Sequence, residues 1–285
     1  MLHLTGDGHA AWGFHFRFES DDPLLVDVVE RCYRDLPTAD GELYTLRAFR
    51  QPGDRDRYRV TLRSPTGDVE ECGDGRARGA VLELLCWEVN RRALWSAAGD
   101  VVLHAAVLAG SAGAVALCGE SHSGKSTLAA AAARRRWHHL SDDMGLVDVD
   151  RLTVTPYARP VMVRAGGRSH LGTLPPPPEA HLQFFPDDWF LPASELGAVV
   201  GSEPVPLIAI GFLEWGSVAA VTPLTPARTL HDLVLHSATV ARQGVAGFAR
   251  LEQLARSVPG YRVELGASDA VIDLVAALTR PAARE

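Results

Sequence analysis

The chemistry of this sequence is concentrated in nine residues. Gly119, Glu120, Ser121, His122, Ser123, Gly124, Lys125, Ser126 and Thr127 follow the pattern G-x-x-x-x-G-K-[ST] without a gap. A strand-like run, AVALC, leads into them and an alanine-rich helical run, LAAAAARRR, leads out. In that setting the pattern makes a phosphate cradle, because backbone N–H groups of the loop and the free N–H groups at the helix start converge on phosphate oxygens. Gly119 and Gly124 allow backbone angles and close approaches that a side chain would block. Lys125 would set a compact ammonium on a terminal phosphate, and the Ser126 hydroxyl would ligate a Mg²⁺ ion that bridges phosphates. Of the 28 basic residues Lys125 is the single lysine. A point charge inside a tight loop is a place where arginine cannot stand in for it.

Two further groups extend the chemistry. Asp142 and Asp143 follow Lys125 by 142 − 125 = 17 and 143 − 125 = 18 residues, which is room for one helix and a return into the strand-like run HHLS. Such a crossover makes that strand parallel to the strand before the loop, so both chain ends arrive on the same side. Two carboxylates beside bound phosphates suggest one metal ligand and one general base, the division that phosphoryl transfer to a hydroxyl requires. A solvated turn is the plainer alternative for this pair. His104 interrupts the apolar run VVLHAAVL, which the turn GSAG joins to AVALC. A turn centred between Ser111 and Ala112 puts position i opposite 223 − i, so His104 faces Gly119. The alternative is a core histidine with its partners satisfied. His138 and His139 read as structural; Arg159 and Arg164 could hold a phosphate or a carboxylate, although in a chain with 27 arginines no special role is the plainer reading.

The elements that must position these groups follow from periodicity and composition. At 285 residues, with 47% hydrophobic and 22% charged residues, the chain is an ordinary globular sequence. Its net charge of −7 argues against a whole-surface attraction to nucleic acid or to an anionic membrane. The four cysteines form no CxxC pair, so neither a zinc site nor a disulfide framework is indicated. The segment MLHLTGDGHAAWGF lacks the pattern of a signal peptide, and no run reaches the ~18 apolar residues of a membrane helix. A cytoplasmic protein without nucleic-acid or membrane partners is expected. Residues 1–98 read as a small α+β domain. Its strands are expected around Phe14–Phe18, Leu43–Phe49 and Tyr58–Leu62, with a helix opened by Pro23 and a long one over Gly75–Trp95. Gly99 and Asp100 mark the boundary, and 99–285 form the second, α/β domain. There VVLHAAVL is read as one strand, and MGLVDVD with RLTVTPY as a hairpin turning near Asp150. The stretch from Arg159 to Leu191, with the run Pro175 to Pro178 and the segment FFPDDWF, is read as an irregular exposed loop, with a partner-binding flap as the alternative. A strand PLIAIGFLEW, helices over Thr229–Arg242 and Gly247–Ser257, a strand YRVEL and a helix from Ser268 complete the chain.

The ordered stretch LHAAVLAGSAGAVALCGESHSGKSTLAAAAARRRWHHLSDD resembles the core of HPr serine kinase/phosphorylase and its relatives. In that family a strand bearing a histidine, a loop of GESGxGKS type, a helix and an aspartate pair follow in this order. The resemblance implies a P-loop kinase core of the HPr kinase/PEP carboxykinase type, a mixed sheet with flanking helices, preceded here by the small amino-terminal domain. It implies ATP and Mg²⁺ as cofactors bound over Gly119–Thr127, with Lys125 and Ser126 on phosphate and metal. It further implies Asp142 as general base on an acceptor serine, Asp143 assisting the metal, His104 lining the site, and assembly into a homo-oligomer. The chain looks most similar to the HPr-kinase-related proteins of lasso-peptide biosynthesis, which implies a peptide or protein bearing a serine as partner. The family's later acidic signature has no counterpart, since Thr155 to Thr173 contains no acidic residue. Two alternatives therefore stand beside the kinase: a non-catalytic nucleotide-binding regulatory or scaffold protein, and a kinase of free serine.

Overall fold

The computed structural model describes residues 4–278 apart from 98, 99, 170, 175, 183, 185, 186 and 267. Gly99, Pro175, Phe185 and Pro186, which belong to the expected boundary, proline run and acidic aromatic segment, lie outside the described residues. The architecture is mixed α/β, with several sheets and flanking helices. It divides into two compact units, residues 1–98 with 176–192, and residues 99–175 with 193–285. Among the described residues no helix is long and apolar enough to cross a membrane.

In the first unit, strands Leu4–Thr5, Phe14–Ser20, Tyr44–Gln51, Asp54–Arg63 and Val69–Arg76 lie side by side in that order, and His9–Ala11 also pairs with Phe14–Ser20. Phe14, Phe16 and Phe18 alternate with exposed residues and are buried, as a period of two requires. Phe14–Ser20 and Tyr44–Gln51 are parallel, so a crossover must join them, and the helix Pro23–Tyr33 supplies it. Asp22 starts that helix: its carboxylate accepts from Leu24 N at 3.2 Å, and Pro23 follows with φ already set for a helix. The strand Val69–Arg76 was hidden in the sequence, because Glu, Gly and Asp are poor strand formers. The long helix begins after it, at Ala77, and ends at Ser96. Residues 176–192, expected within the second domain, pack with the first unit instead. His181 Nε2 lies 2.7 Å from the Asp27 carboxylate, and Arg31 donates to the Phe190 carbonyl at 3.2 Å.

The second unit is built on a mixed sheet. Strands Ala105–Gly110 and Gly113–Cys118 form a hairpin in the register expected, from Ala105 opposite Cys118 to Gly110 opposite Gly113. Gly113 closes the turn at φ 148°, a conformation open to glycine. Gly113–Cys118 runs parallel to Val205–Trp215, which runs parallel to Gly260–Leu265. On the other flank His138–Ser141 is antiparallel to Ala105–Gly110, and so points the same way as Gly113–Cys118. Four strands thus share one direction and end along one edge, where α/β sheets place their ligands. Behind that edge the helix Lys125–Arg134 buries Leu128 and Ala129 to Ala133, small residues that favour helix and permit close packing. Val101, Ala116, Phe212, Leu233, Leu251 and Leu254 belong to the core cluster beneath the sheet, each large aliphatic contributing about 1.5–3 kcal/mol by burial.

Elements of the second unit also differ from expectation, among them the strand Val161–Val163 within the stretch read as an irregular loop. The run VVLHAAVL is not one strand. Val101–Leu103 pairs with Gly145–Asp148, whereas Ala105–Gly110 joins the hairpin. His104 breaks the run because its N–H donates to the carbonyl of His236 at 2.7 Å, outside the ladder. The later helices span Pro226–Leu235 and Thr239–Ser257, the second broken at Gly244, whose φ of 57° and ψ of −130° suit glycine. The gap between them is set by side chains. Ser237 Oγ donates to Val102 O at 2.9 Å, and Thr239 Oγ1 accepts from Val102 N at 2.8 Å, so the junction covers the edge of the strand Val101–Leu103.

Candidate functional site

The phosphate-binding pattern occupies the turn between the strand Gly113–Cys118, buried at every residue, and the helix that starts at Lys125. The turn needs unusual backbone: φ is 66° at His122 and 95° at Gly124. A β-carbon on Gly119 would come within 2.4 Å of Ser123 Oγ, so any side chain there would force Ser123 to shift. Lys125 is 6% exposed, and its ammonium donates to the carbonyls of Gly119 and Glu120 at 2.7 Å each. Burial lowers its pKa, and the nearby Asp143 and Asp142 carboxylates oppose this only in part. Ser121 to Thr127 line a cavity of ≈ 390 Å³. Gly119 and Glu120 stand outside its lining and serve the lysine through their carbonyls.

The two aspartates have opposite environments. Asp142 is 1% exposed; its carboxylate accepts from Ser126 Oγ at 3.1 Å and from Met162 N at 3.4 Å. Burial raises its pKa above the ordinary carboxylate value, against the pull of Arg159. Asp143 lines the cavity with a side chain 43% exposed, Oδ1 2.7 Å from His104 Nε2 and Oδ2 2.8 Å from Arg159 Nη1. Burial works against its ionisation too, but the His104 hydrogen bond and the Arg159 guanidinium carry it well below the usual carboxylate range. Its φ of 86° is in the left-handed region, a strain that aspartate tolerates better than most residues.

His104, released from the ladder, also lines the cavity. So does Arg164, whose Nη1 lies 3.0 Å from His122 Nδ1. Its charge is close enough to contribute to the lowering of Lys125. Among the described residues no carboxylate forms an ion pair with Arg164, and the ammonium of Lys125 is bonded to carbonyls, so the cavity carries two cations without a directly paired carboxylate. Arg159, by contrast, is committed to Asp143. His139 is fully buried, and this burial holds its pKa down at about 4. Gly167 approaches so closely that a β-carbon would lie 2.6 Å from Thr127 Oγ1. Trp215, Leu265 and Gly266 form another part of the lining. They escaped a reading that looked for polar chemistry, although the parallel strand PLIAIGFLEW had to end beside the loop.

The residues present fit a Mg²⁺ ion that accompanies phosphate. Such an ion takes one or two protein oxygens and completes its shell with phosphate and water, and Ser126 Oγ with the Asp142 carboxylate is a pair of that kind. Among the described residues no cluster of three or more His, Cys, Asp or Glu side chains forms a self-contained metal cage.

No protein-family model matches the chain, and no curated protein matches it. Among solved structures the chain is similar to the Hpr(Ser) kinase/phosphatase from Coxiella burnetii, with 12% sequence identity, over 63% of this chain and 93% of that one, at a TM-score of 0.31.

Proposed function

We propose that the chain is an ATP- and Mg²⁺-dependent serine kinase whose acceptor is a peptide or protein, a ribosomally made precursor peptide of the lasso type being the acceptor implied by the sequence resemblance. The observation that carries this reading is the meeting, in one cavity, of the loop Ser121–Thr127 and the Asp143–His104 pair. The loop N–H groups and Lys125 hold the terminal phosphates, and Arg164 faces them as a second cation. Ser126 and Asp142 would hold Mg²⁺, which when bound would neutralise negative charge on the phosphates. Asp143, hydrogen-bonded to His104, takes the acceptor hydroxyl's proton as the serine oxygen bonds to phosphorus and the donor's bridging P–O bond breaks. This exchanges the roles that the family resemblance implied for the two aspartates: the open carboxylate is the proton acceptor, and the buried one serves the metal.

Incubation with terminally labelled ATP, serine-containing peptides and free serine tests the proposal. Label is expected on a peptide serine. Transfer to free serine alone would make the protein a small-molecule kinase, and nucleotide binding without transfer to any acceptor would favour the regulatory protein. Lys125→Ala is expected to lower ATP affinity at least tenfold (about 1.4 kcal/mol), and an unchanged calorimetric affinity would remove the phosphate cradle. Asp142→Asn is expected to raise the Mg²⁺ concentration needed for half-maximal activity. If it instead abolished transfer at saturating Mg²⁺ while Asp143→Asn did not, the exchange of roles would be wrong.

A further inference from the structure

We infer that the face formed by Trp215 and Leu265 is a nucleobase subsite, with the indole as the stacking platform. The inference rests on the nucleotide reading of the loop and adds the part of the ligand that the loop does not touch. Trp215 closes the strand Val205–Trp215, three residues beyond Phe212, which is level with Cys118 at the end of the strand before the loop. It is 72% exposed and lines the same cavity as Lys125. A large aromatic left open in that way is informative, because core packing does not explain it.

The distances join this face to the phosphate cradle. A β-carbon on Gly124 would lie 3.0 Å from Leu265 Cδ1 and 4.0 Å from Trp215 Cη2. One face of the loop residue next to Lys125 is therefore apolar and aromatic. The cavity has a cationic end and a π face within a few ångströms of each other, the polarity of a nucleoside phosphate. The backbone beneath the ring is held by the strand Gly260–Leu265 beside it. Trp215 is paired with Leu265, and Gly216 N donates to Leu265 O at 3.3 Å. A β-carbon on Gly266 would meet Ala219 N at 2.4 Å, so the turn after Trp215 sits tightly against the neighbouring strand end. Binding does not have to order the segment that carries the ring.

Calorimetric titration of the full chain with ATP and with inorganic triphosphate, each with Mg²⁺, tests the subsite. The wild type is expected to bind ATP about tenfold or more tightly than triphosphate, the range of one base–aromatic stack. Trp215→Ala should remove that advantage and leave triphosphate affinity within about twofold, and Trp215→Phe should restore most of it. The side chain is exposed, so neither substitution opens a core. Equal wild-type affinities for ATP and triphosphate, or unchanged ATP affinity in Trp215→Ala, would overturn the subsite and leave the cradle standing. An equal loss for both ligands would mark a disturbance of the loop and overturn it as well. Binding of neither ligand to the wild type would remove the cradle, and the subsite with it.

Discussion

The tripeptide Ser-Asp-Asp ends a strand in each unit: Ser20-Asp21-Asp22 after Phe14–Ser20, and Ser141-Asp142-Asp143 after His138–Ser141. Both serines are buried. The second aspartate of each is held below its ordinary range, in both cases because cationic partners and hydrogen bonds outweigh the opposing effect of burial. Their surroundings nevertheless diverge. Asp22 is enclosed: Arg50 at 2.7 Å, Arg78 at 2.6 Å, Tyr58 at 2.6 Å and the helix N–H of Leu24 take up its oxygens. Asp143 has two side-chain partners and an open side facing a cavity. A depressed carboxylate pKa is therefore no mark of a functional site, and accessibility beside an electropositive loop is what separates the two.

The comparison is broken most easily at Asp143. Asp143→Asn should lower turnover about a thousandfold at saturating ATP and Mg²⁺, within the range of general-base catalysis, while ATP affinity stays near that of the wild type. Asp22→Asn should leave the turnover of folded enzyme unchanged. Single-turnover kinetics on both variants check this, and equal losses would erase the distinction. Asp22→Ala, which removes a helix cap and leaves two arginines without their carboxylate, should cost about 3 kcal/mol in urea unfolding.

Acid separates the units next. His139 is neutral when folded, with its pKa lowered from 6.5 to about 4. As pH falls the unfolded chain binds the proton first, so this contribution to stability is complete above pH 6.5 and lost on the way to pH 4. The expected loss over that range is about 3 kcal/mol. Asp22 acts lower, since its contribution persists until pH falls below the ordinary carboxylate value of 3.8. Urea unfolding at pH 7 and pH 4.5 should give a pH-dependent difference between wild type and His139→Leu. The variant is the needed reference because Asp142, raised by burial, pulls the other way. The smallest effect is expected at Asp21, which accepts from the Arg50 N–H at 3.2 Å. Asp21→Ala should cost no more than about 1 kcal/mol, and a larger loss would mean that the enclosed cluster extends to both carboxylates.

Some of this was legible in the chain and some was not. The loop pattern, the alanine helix and the hairpin register from Ala105 to Cys118 rest on local spacing and on one turn, which a single sequence displays. The departure of His104 from its strand depends on the His236 carbonyl, far along the chain, and no local pattern reports it. That Asp143 and not Asp142 lines the cavity was equally hidden, because it goes with a left-handed backbone at Asp143 that spacing does not report. Residues 176–192 join the first unit through His181 and Asp27, a pairing that spacing cannot suggest. Trp215 was readable in principle, as the last residue of a buried strand that had to end at the ligand-bearing edge.

The fold leaves Lys125 in a position useful to the experimenter. It is the single lysine of the sequence, and its amine lies against two carbonyls of its own loop. Amine-directed labelling of the side chains therefore has one destination, in the lining of the cavity. The yield of that modification becomes a built-in gauge of loop occupancy, without a tag and without an assay of turnover.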